Sequence, residues 1–154
     1  MITVTRLESP ELPEEVVKEL WDYLKDDAEL SKDEYTARLD DNSRWYVSGE
    51  DDEVVGVYWL RKLNHVTWEI HTNVRMKFWG TGKALPHAKT ALDFIFDESG
   101  ARKIVATIPE TAPHVLAYAK QVGFTEEGRM TGSFLKDDIL YDQIHLGITH
   151  REIK

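Results

Sequence analysis

A glycine segment in the middle of the chain has the residue types that bind a pyrophosphate. Gly80 and Gly82 stand between a predicted strand and a predicted helix, and Lys77 and Lys83 flank them. Glycines let the backbone approach a ligand closely and turn its N–H groups towards it. A helix start adds unpaired N–H groups and the positive end of a dipole. The segment therefore predicts an anion site, although an ordinary glycine turn would contain the same two glycines.

Several other kinds of site do not fit the sequence. The P-loop spacing G-x-x-x-x-G-K-S/T is absent, and Leu85 occupies the third glycine position of G-x-G-x-x-G. No G-x-S-x-G motif supports a serine hydrolase. The chain has no cysteine, which excludes thiolate chemistry and disulfides. Glu69 and His71 share a strand face, but no third ligand is spaced to join them, so no metal site is predicted.

The elements that would position the glycine segment are those of an α/β fold. Alternating and β-branched runs predict strands at residues 2–7, 45–47, 54–60, 65–74, 103–108, 124–130 and 140–148. Helical spacing and capping signals predict helices at residues 14–25, 31–39, 83–98 and 113–122. Acidic turns are predicted near residues 49–52 and 136–138, with helix ends at Gly100 and Gly123. The order β-αα-βββ-α-β-α-ββ predicts crossovers around one sheet.

The glycine segment and its flanks resemble the GNAT superfamily. Lys77-x-x-Gly80-x-Gly82 resembles motif A of that family, Q/R-x-x-G-x-G/A, with lysine in the first place. W-E-I-H-T at residues 68–72 and F-W-G-T-G-K-A at 78–84 resemble the subfamily that acetylates the N-termini of ribosomal proteins. I-P-E-T at 108–111, V-G-F-T-E-E-G at 122–128 and the tail at 134–152 resemble further blocks of that subfamily, in the same order.

The resemblance implies an acetyl-CoA-dependent N-acetyltransferase with one domain over residues 1–154. It implies a single mixed, mostly antiparallel sheet, flanked by helices, whose central parallel strands splay apart around acetyl-CoA. Backbone groups of residues 74–76 would pair with the pantetheine, and the N–H groups of residues 78–83 would hold the pyrophosphate. Thr111 stands where the subfamily has an asparagine that helps to bind the cofactor. The cofactor-binding residues are then Val74, Arg75, Met76, Lys77, Phe78, Trp79, Gly80, Thr81, Gly82, Lys83, Ala84 and Thr111.

Two residues are predicted to move protons. An acceptor amine has a pKa of about 10 and must lose a proton before it attacks a thioester. The subfamily has a glutamate at the place of Glu69, where partial burial would raise the pKa towards the working range. Many GNAT enzymes have a general-acid tyrosine at the place of Ala119, and Tyr118 is the neighbouring candidate, about 100° away around a helix. A solvent-facing glutamate and a packed tyrosine are the structural alternatives.

The charge and composition favour a cationic substrate. The net charge of −9 disfavours nucleic acid and favours an amine-bearing acceptor, although it also keeps a protein soluble. No run approaches the roughly 20 apolar residues of a membrane span, and no signal peptide is evident, so no membrane partner and a cytoplasmic location are expected. The acceptor would be a protein N-terminus, a lysine or a small amine, attacking in a ternary complex. A non-catalytic CoA-binding or interaction module is the alternative, and a homodimer is compatible with both.

Overall fold

The computed structural model describes residues 1–9, 11–24, 37 and 39–150. Its strands are β1 (Thr3–Arg6), β2 (Ser43–Glu50), β3 (Glu53–Lys62), β4 (Thr67–Val74), β5 (Lys103–Pro109), β6 (Thr125–Lys136) and β7 (Ile139–Thr149). Its helices are α1 (Glu14–Leu24), α2 (Ala84–Ser99) and α3 (Pro113–Val122), with a 3₁₀ turn at Met76–Phe78. The predicted capping box and short helix at residues 31–39 lie outside the described residues, apart from positions 37 and 39.

The seven strands form one sheet in the order β1-β2-β3-β4-β5-β7-β6. The pairs β1–β2, β2–β3, β5–β7 and β6–β7 are antiparallel, whereas β4–β5 is parallel. This confirms the predicted mixed, mostly antiparallel sheet. The β4–β5 register includes only the pairs from Thr67 with Lys103 to Glu69 with Val105, although the two strands continue to Val74 and Pro109. The splay of these strands around a cofactor stays a prediction.

Two acidic turns close the hairpins. Asp51 and Asp52 have φ of 53° and 61°, and Asp137 and Asp138 have φ of 50° and 62°. Two successive left-handed residues are the geometry of a type I′ turn, whose twist matches that of the flanking strands, and aspartate tolerates this region better than most residues. Both predicted turns are confirmed. The second hairpin is longer than predicted, because β6 extends to Lys136 rather than ending at Met130.

The described chain has two compact units. The first includes Met1–Arg61 and His71–Ala91, and the second includes Lys62–Ile70 and Leu92–Lys154. The core of the first unit packs Val16, Leu20 and Leu24 of α1 with Trp45 and Val57 of the strands. These α1 residues recur at helical spacing, and Glu14 and Glu15 lie in the first turn, where negative charge favours the helix dipole.

The second unit has a core of its own. Ile104, Ile144, Leu146 and Ile148 are fully buried in β5 and β7, and burial of such a side chain contributes about 1.5–3 kcal/mol. The single-domain organisation of residues 1–154 stays a prediction. Within the described residues, no helix has the length and apolar composition needed to span a membrane.

Candidate functional site

The loop between β4 and α2 leaves its glycines open to a ligand. Gly80 and Gly82 have φ of +74° and +82°, in the left-handed region that favours glycine. A Cβ built on either residue has no described heavy atom within 4 Å. A ligand therefore has room to approach the backbone directly, which is the fit that the predicted pyrophosphate requires.

A 3₁₀ turn inside this loop narrows the predicted set of free amides. Phe78 N donates to Arg75 O at 2.9 Å, Trp79 N to Met76 O at 3.0 Å and Thr81 N to Phe78 O at 3.3 Å. These bonds follow from the tight i to i+3 geometry of the turn, which the glycine pattern alone did not predict. Among the described residues, the amides of Gly80 and Gly82 have no hydrogen-bond partner, so they are the donors best placed for a phosphate.

Two lysines flank the open glycines, and each is paired with a carboxylate of the β2–β3 hairpin. Lys77 Nζ lies 2.9 Å from Glu53 Oε2, and Lys83 Nζ makes a very short hydrogen bond to Glu50 Oε2. The hydrogen bond from Lys83 lowers the pKa of Glu50 and raises that of Lys83. Both partners are therefore charged at neutral pH, and both lysine side chains stay partly exposed.

The Arg75 side chain is held within the protein rather than exposed to a ligand. Its side chain is nearly buried, its Nε donates to Glu19 Oε2 at 2.6 Å, and its Nη1 donates to Val54 O at 3.1 Å. Burial acts to raise the pKa of Glu19, but the hydrogen bonds from Arg75 and from the Lys77 amide outweigh burial and lower it. Arg75 thus fixes the end of β4 to β3 and α1, and the open part of the loop begins after it.

A buried polar chain runs behind the loop. His87, in the first turns of α2, has its Nδ1 at 2.9 Å from Ser48 Oγ on β2, and Ser48 Oγ lies 3.1 Å from the Tyr58 hydroxyl on β3. Gly56 leaves the room for that hydroxyl, because a Cβ there would lie 2.5 Å from it. His87 Nε2 is buried 3.5 Å from Glu50 Oε1 and has no hydrogen-bond partner among the described residues.

Burial sets the protonation states in this chain. It raises the pKa of Tyr58 to about 12 and lowers the pKa of His87, so both groups are neutral at pH 7. None of the three side chains was singled out from the sequence. The one local signal was that His87 follows Lys83 by four residues, which places the two side chains on one helix face.

The predicted proton-transfer residues lie in the second unit. Glu69 is half-buried on β4, opposite Val105, between the buried Trp68 and Ile70. The predicted alternation holds over these positions and breaks at Thr72, which is exposed. The role of Glu69 as a base stays a prediction.

The α3 region carries the other two candidates. Thr111 lies half-buried between β5 and α3. On α3, Ala119 is buried and Tyr118 is half-buried. Tyr118 therefore faces a direction about 100° from that of Ala119. The roles of Thr111 and Tyr118 also stay predictions.

The second unit also has an ionic cluster that sequence reasoning missed. Arg129 Nη1 lies 2.9 Å from Asp142 Oδ2 and 3.3 Å from Glu110 Oε2. Asp142 Oδ1 accepts the Gly132 amide at 2.9 Å, and Glu110 Oε2 accepts the Asp142 amide at 2.7 Å. The hydrogen bond from the Gly132 amide has the largest effect in lowering the pKa of Asp142, and the hydrogen bond from Arg129 has the next largest. The cluster ties the end of β5 to the β6–β7 hairpin.

Comparisons with known proteins agree with this fold. The model of the acetyltransferase (GNAT) domain family matches residues 4–125, and no curated protein sequence matches the chain. A chimera of the spermidine N-acetyltransferase SpeG from Vibrio cholerae and hSSAT has 19% identity and a TM-score of 0.75, covering 97% of this chain and 96% of that chain. The Vibrio cholerae spermidine/spermine N-acetyltransferase SpeG in complex with manganese ions has 19% identity and a TM-score of 0.72, with 97% and 92% coverage. At these identities the structural likeness concerns the fold.

Proposed function

The chain belongs to the acetyltransferase (GNAT) family, and we propose that it transfers the acetyl group of acetyl-CoA directly to a primary amine in a ternary complex. The family match extends over residues 4–125, most of the chain, so acetyl-CoA-dependent N-acetyl transfer is its reaction class. The observation that carries the placement of the cofactor is the open space over Gly80 and Gly82. Their free amides and the partly exposed lysines on either side supply donors and positive charge to a pyrophosphate.

The proposed cofactor-binding residues divide by the part of acetyl-CoA that they hold. Residues 74–76 offer backbone groups to the pantetheine, and residues 77–84 offer the free amides of Gly80 and Gly82 and two ammonium groups to the phosphates. Arg75 takes part through its carbonyl oxygen, since its amide donates to Val55 O and its guanidinium is held by Glu19 and Val54. Thr111 is the proposed contact in place of the subfamily asparagine. Acetyl-CoA supplies the activated acetyl group as its thioester.

The proposed reaction removes two protons from the acceptor nitrogen and delivers one to the leaving sulfur. Glu69 accepts a proton from the ammonium form of the acceptor, directly or through one water. The free amine nitrogen then forms a bond to the acetyl carbonyl carbon, the carbon–sulfur bond breaks, and the nitrogen releases a second proton to solvent as the amide forms. The leaving thiolate takes a proton from Tyr118 or from solvent. The half-buried position of Glu69 on β4 supports this role, because partial burial favours proton uptake by a carboxylate.

A small cationic amine is the acceptor that the observations favour. The structural matches are proteins named for spermidine acetylation, and the net charge of −9 attracts cations. A protein N-terminus is the second candidate, because W-E-I-H-T and F-W-G-T-G-K-A resemble the subfamily that acetylates ribosomal proteins. Thiol release from acetyl-CoA, measured with spermidine and with a peptide that has a free N-terminus, separates the two.

A matched pair of variants at Gly80 tests the cofactor site. Both Asn and Asp tolerate the left-handed region better than most residues, and they differ mainly in charge. We expect calorimetric binding of acetyl-CoA to be lost in Gly80→Asp, because the carboxylate meets the phosphates. Gly80→Asn should bind more tightly than Gly80→Asp by at least about tenfold, a difference of roughly 1.4 kcal/mol. Equal, near-wild-type affinities in the two folded variants would show that the pyrophosphate does not bind at this loop.

A further inference from the structure

We propose that His87 is a positioning residue for acetyl-CoA binding. When the phosphates engage Lys83, His87 replaces that lysine as the hydrogen-bond partner of the Glu50 carboxylate. The proposal rests on the proposed function, since it requires the phosphates to reach Lys83. His87 itself does not touch the cofactor. It acts through the carboxylate that competes with the phosphates for the same ammonium group.

The starting point is the proton position on His87. An unprotonated Nε2 would point its lone pair at the Glu50 carboxylate 3.5 Å away, and the two would repel each other. Nε2 therefore carries the proton, and Nδ1 accepts the Ser48 hydroxyl at 2.9 Å. Ser48 in turn accepts the Tyr58 hydroxyl at 3.1 Å, and that phenol stays protonated, because burial raises its pKa to about 12. The buried chain thus orients one N–H group of His87 towards Glu50.

That N–H group is a donor without an acceptor at hydrogen-bond distance among the described residues. A buried donor left in this state is costly, and a short movement of Glu50 would satisfy it. Glu50 is engaged elsewhere, because its other oxygen holds Lys83. The Glu50 and Lys83 side chains are 23% and 38% exposed, so an anion from solvent can reach the lysine.

These contacts place one carboxylate between two partners, Lys83 at Oε2 and His87 near Oε1. Without cofactor, Glu50 holds Lys83 and the His87 N–H group is unsatisfied. With the phosphates on Lys83, Glu50 loses its cation and gains the His87 N–H group, which keeps the carboxylate hydrogen-bonded. Charge is conserved at each group, since no proton moves. Without the donor at position 87, Glu50 would have no second partner and would compete more strongly for Lys83.

Two substitutions of similar size separate this role from packing. The Gln side chain can place an N–H donor near the position of His Nε2, whereas Asn places one near Nδ1 and leaves Glu50 without a donor. We expect His87→Asn to raise the calorimetric Kd of acetyl-CoA by about 3- to 10-fold, the range that one hydrogen bond accounts for. His87→Gln should stay within about twofold of the wild type. Equal weakening in both variants would reduce His87 to a packing residue.

Glu50→Gln should change the affinity for acetyl-CoA in the opposite direction, and this test does not depend on position 87. A neutral amide holds Lys83 less firmly, so acetyl-CoA should bind as tightly as in the wild type or more tightly. In this background, adding His87→Asn should change the Kd by less than about twofold, because the carboxylate that the histidine served is gone. Weaker binding in Glu50→Gln, or a full effect of His87→Asn in both backgrounds, would overturn the proposal.

The wild type distinguishes this failure from a failure of the proposed function. A wild type that binds acetyl-CoA, together with a Gly80 pair that behaves as expected, would leave the function intact whatever the result at position 87. Absence of acetyl-CoA binding in the wild type would overturn the function and this inference together. His65→Asn, at an exposed position, is the control for a histidine replaced elsewhere.

Discussion

The ion pairs beside the glycine loop and the cluster in the second unit differ in what holds their carboxylates. Glu53 and Glu50 are bound by the ammonium groups of Lys77 and Lys83. In the cluster, backbone amides hold the acids, since Asp142 accepts the Gly132 amide and Glu110 accepts the amide of Asp142. A side-chain pair can exchange its partner for a ligand, whereas a carboxylate bound to the backbone is part of the fold.

This difference predicts separate functional roles for the two units. The first unit would set the affinity for acetyl-CoA through cations that can exchange partners. The second unit would supply the proton acceptor on β4 and a fixed β6–β7 hairpin. Variants in the two units should therefore change different measured quantities, and a variant that changed both would break the comparison.

The largest expected effect is on turnover, from Glu69→Gln. If Glu69 is the base, kcat should fall by about 10²-fold or more, the usual contribution of a general base. The Kd of acetyl-CoA should change little, because the substitution keeps size and polarity. The loss should shrink as pH rises towards the pKa of the acceptor amine, about 10, where the free amine is already abundant.

The exposed Glu11 provides the matched control. Glu11→Gln makes the same chemical change and should leave both kcat and Kd as they are. A kcat for Glu69→Gln close to that of the wild type at pH 7 would transfer proton removal to solvent. A large rise in the Kd of acetyl-CoA for that variant would instead contradict the separate roles predicted for the two units.

Local sequence signals predicted most of the fold. Residues 113–122 form a helix closed by Gly123, as predicted, and Gly123 has a φ of 130°. The alternation on β4 as far as Ile70 and the two acidic turns were also correct, because strand faces, helix caps and hairpin turns depend on residues within a few positions of one another. The glycine loop was located for the same reason.

Contacts between distant positions could not be predicted in this way. Ser48 and His87 are 39 residues apart, and their contact depends on how α2 packs and on the register that pairs Ser48 with Gly56. Arg129 reaches Asp142 across a hairpin whose register shifts twice. Periodicity predicts the face on which a side chain lies but not the register between strands, so both polar groups were missed.

A smaller effect, on stability, is expected from Asp142→Asn. The substitution weakens the acceptor for the Gly132 amide and removes the charge that pairs with Arg129. We expect the Tm to fall by about 2–4 °C, the shift typical of a modest destabilisation in a chain of this size. Acetyl-CoA binding should be unchanged, because the cluster belongs to the fold and not to the loop. A change in Kd without a change in Tm would contradict the comparison.

Acid should abolish this difference in Tm. The folded-state pKa of Asp142 is lowered from its ordinary value of 3.8, so its contribution to stability is present above that value and is lost as pH falls through the folded pKa. The Tm difference between wild type and Asp142→Asn should thus be constant near neutral pH and shrink below about pH 3.8. Asp138→Asn, in the exposed turn of the same hairpin, is the control for the same chemical change outside the cluster.

The smallest expected effect is that of salt on acceptor binding. The chain has a net charge of −9, and the Debye length shortens from about 30 Å at 0.01 M salt to about 8 Å at 0.15 M. If the negative field attracts the acceptor, the KM for spermidine should rise a few-fold over this range. A monoamine has fewer charges and should show a smaller rise, which separates attraction of the acceptor from a general effect of salt on the enzyme. The field would repel acetyl-CoA, so its KM should not rise in parallel with that of spermidine. Equal salt dependence for spermidine and the monoamine, or none for either, would mean that the acidic surface does not select the acceptor.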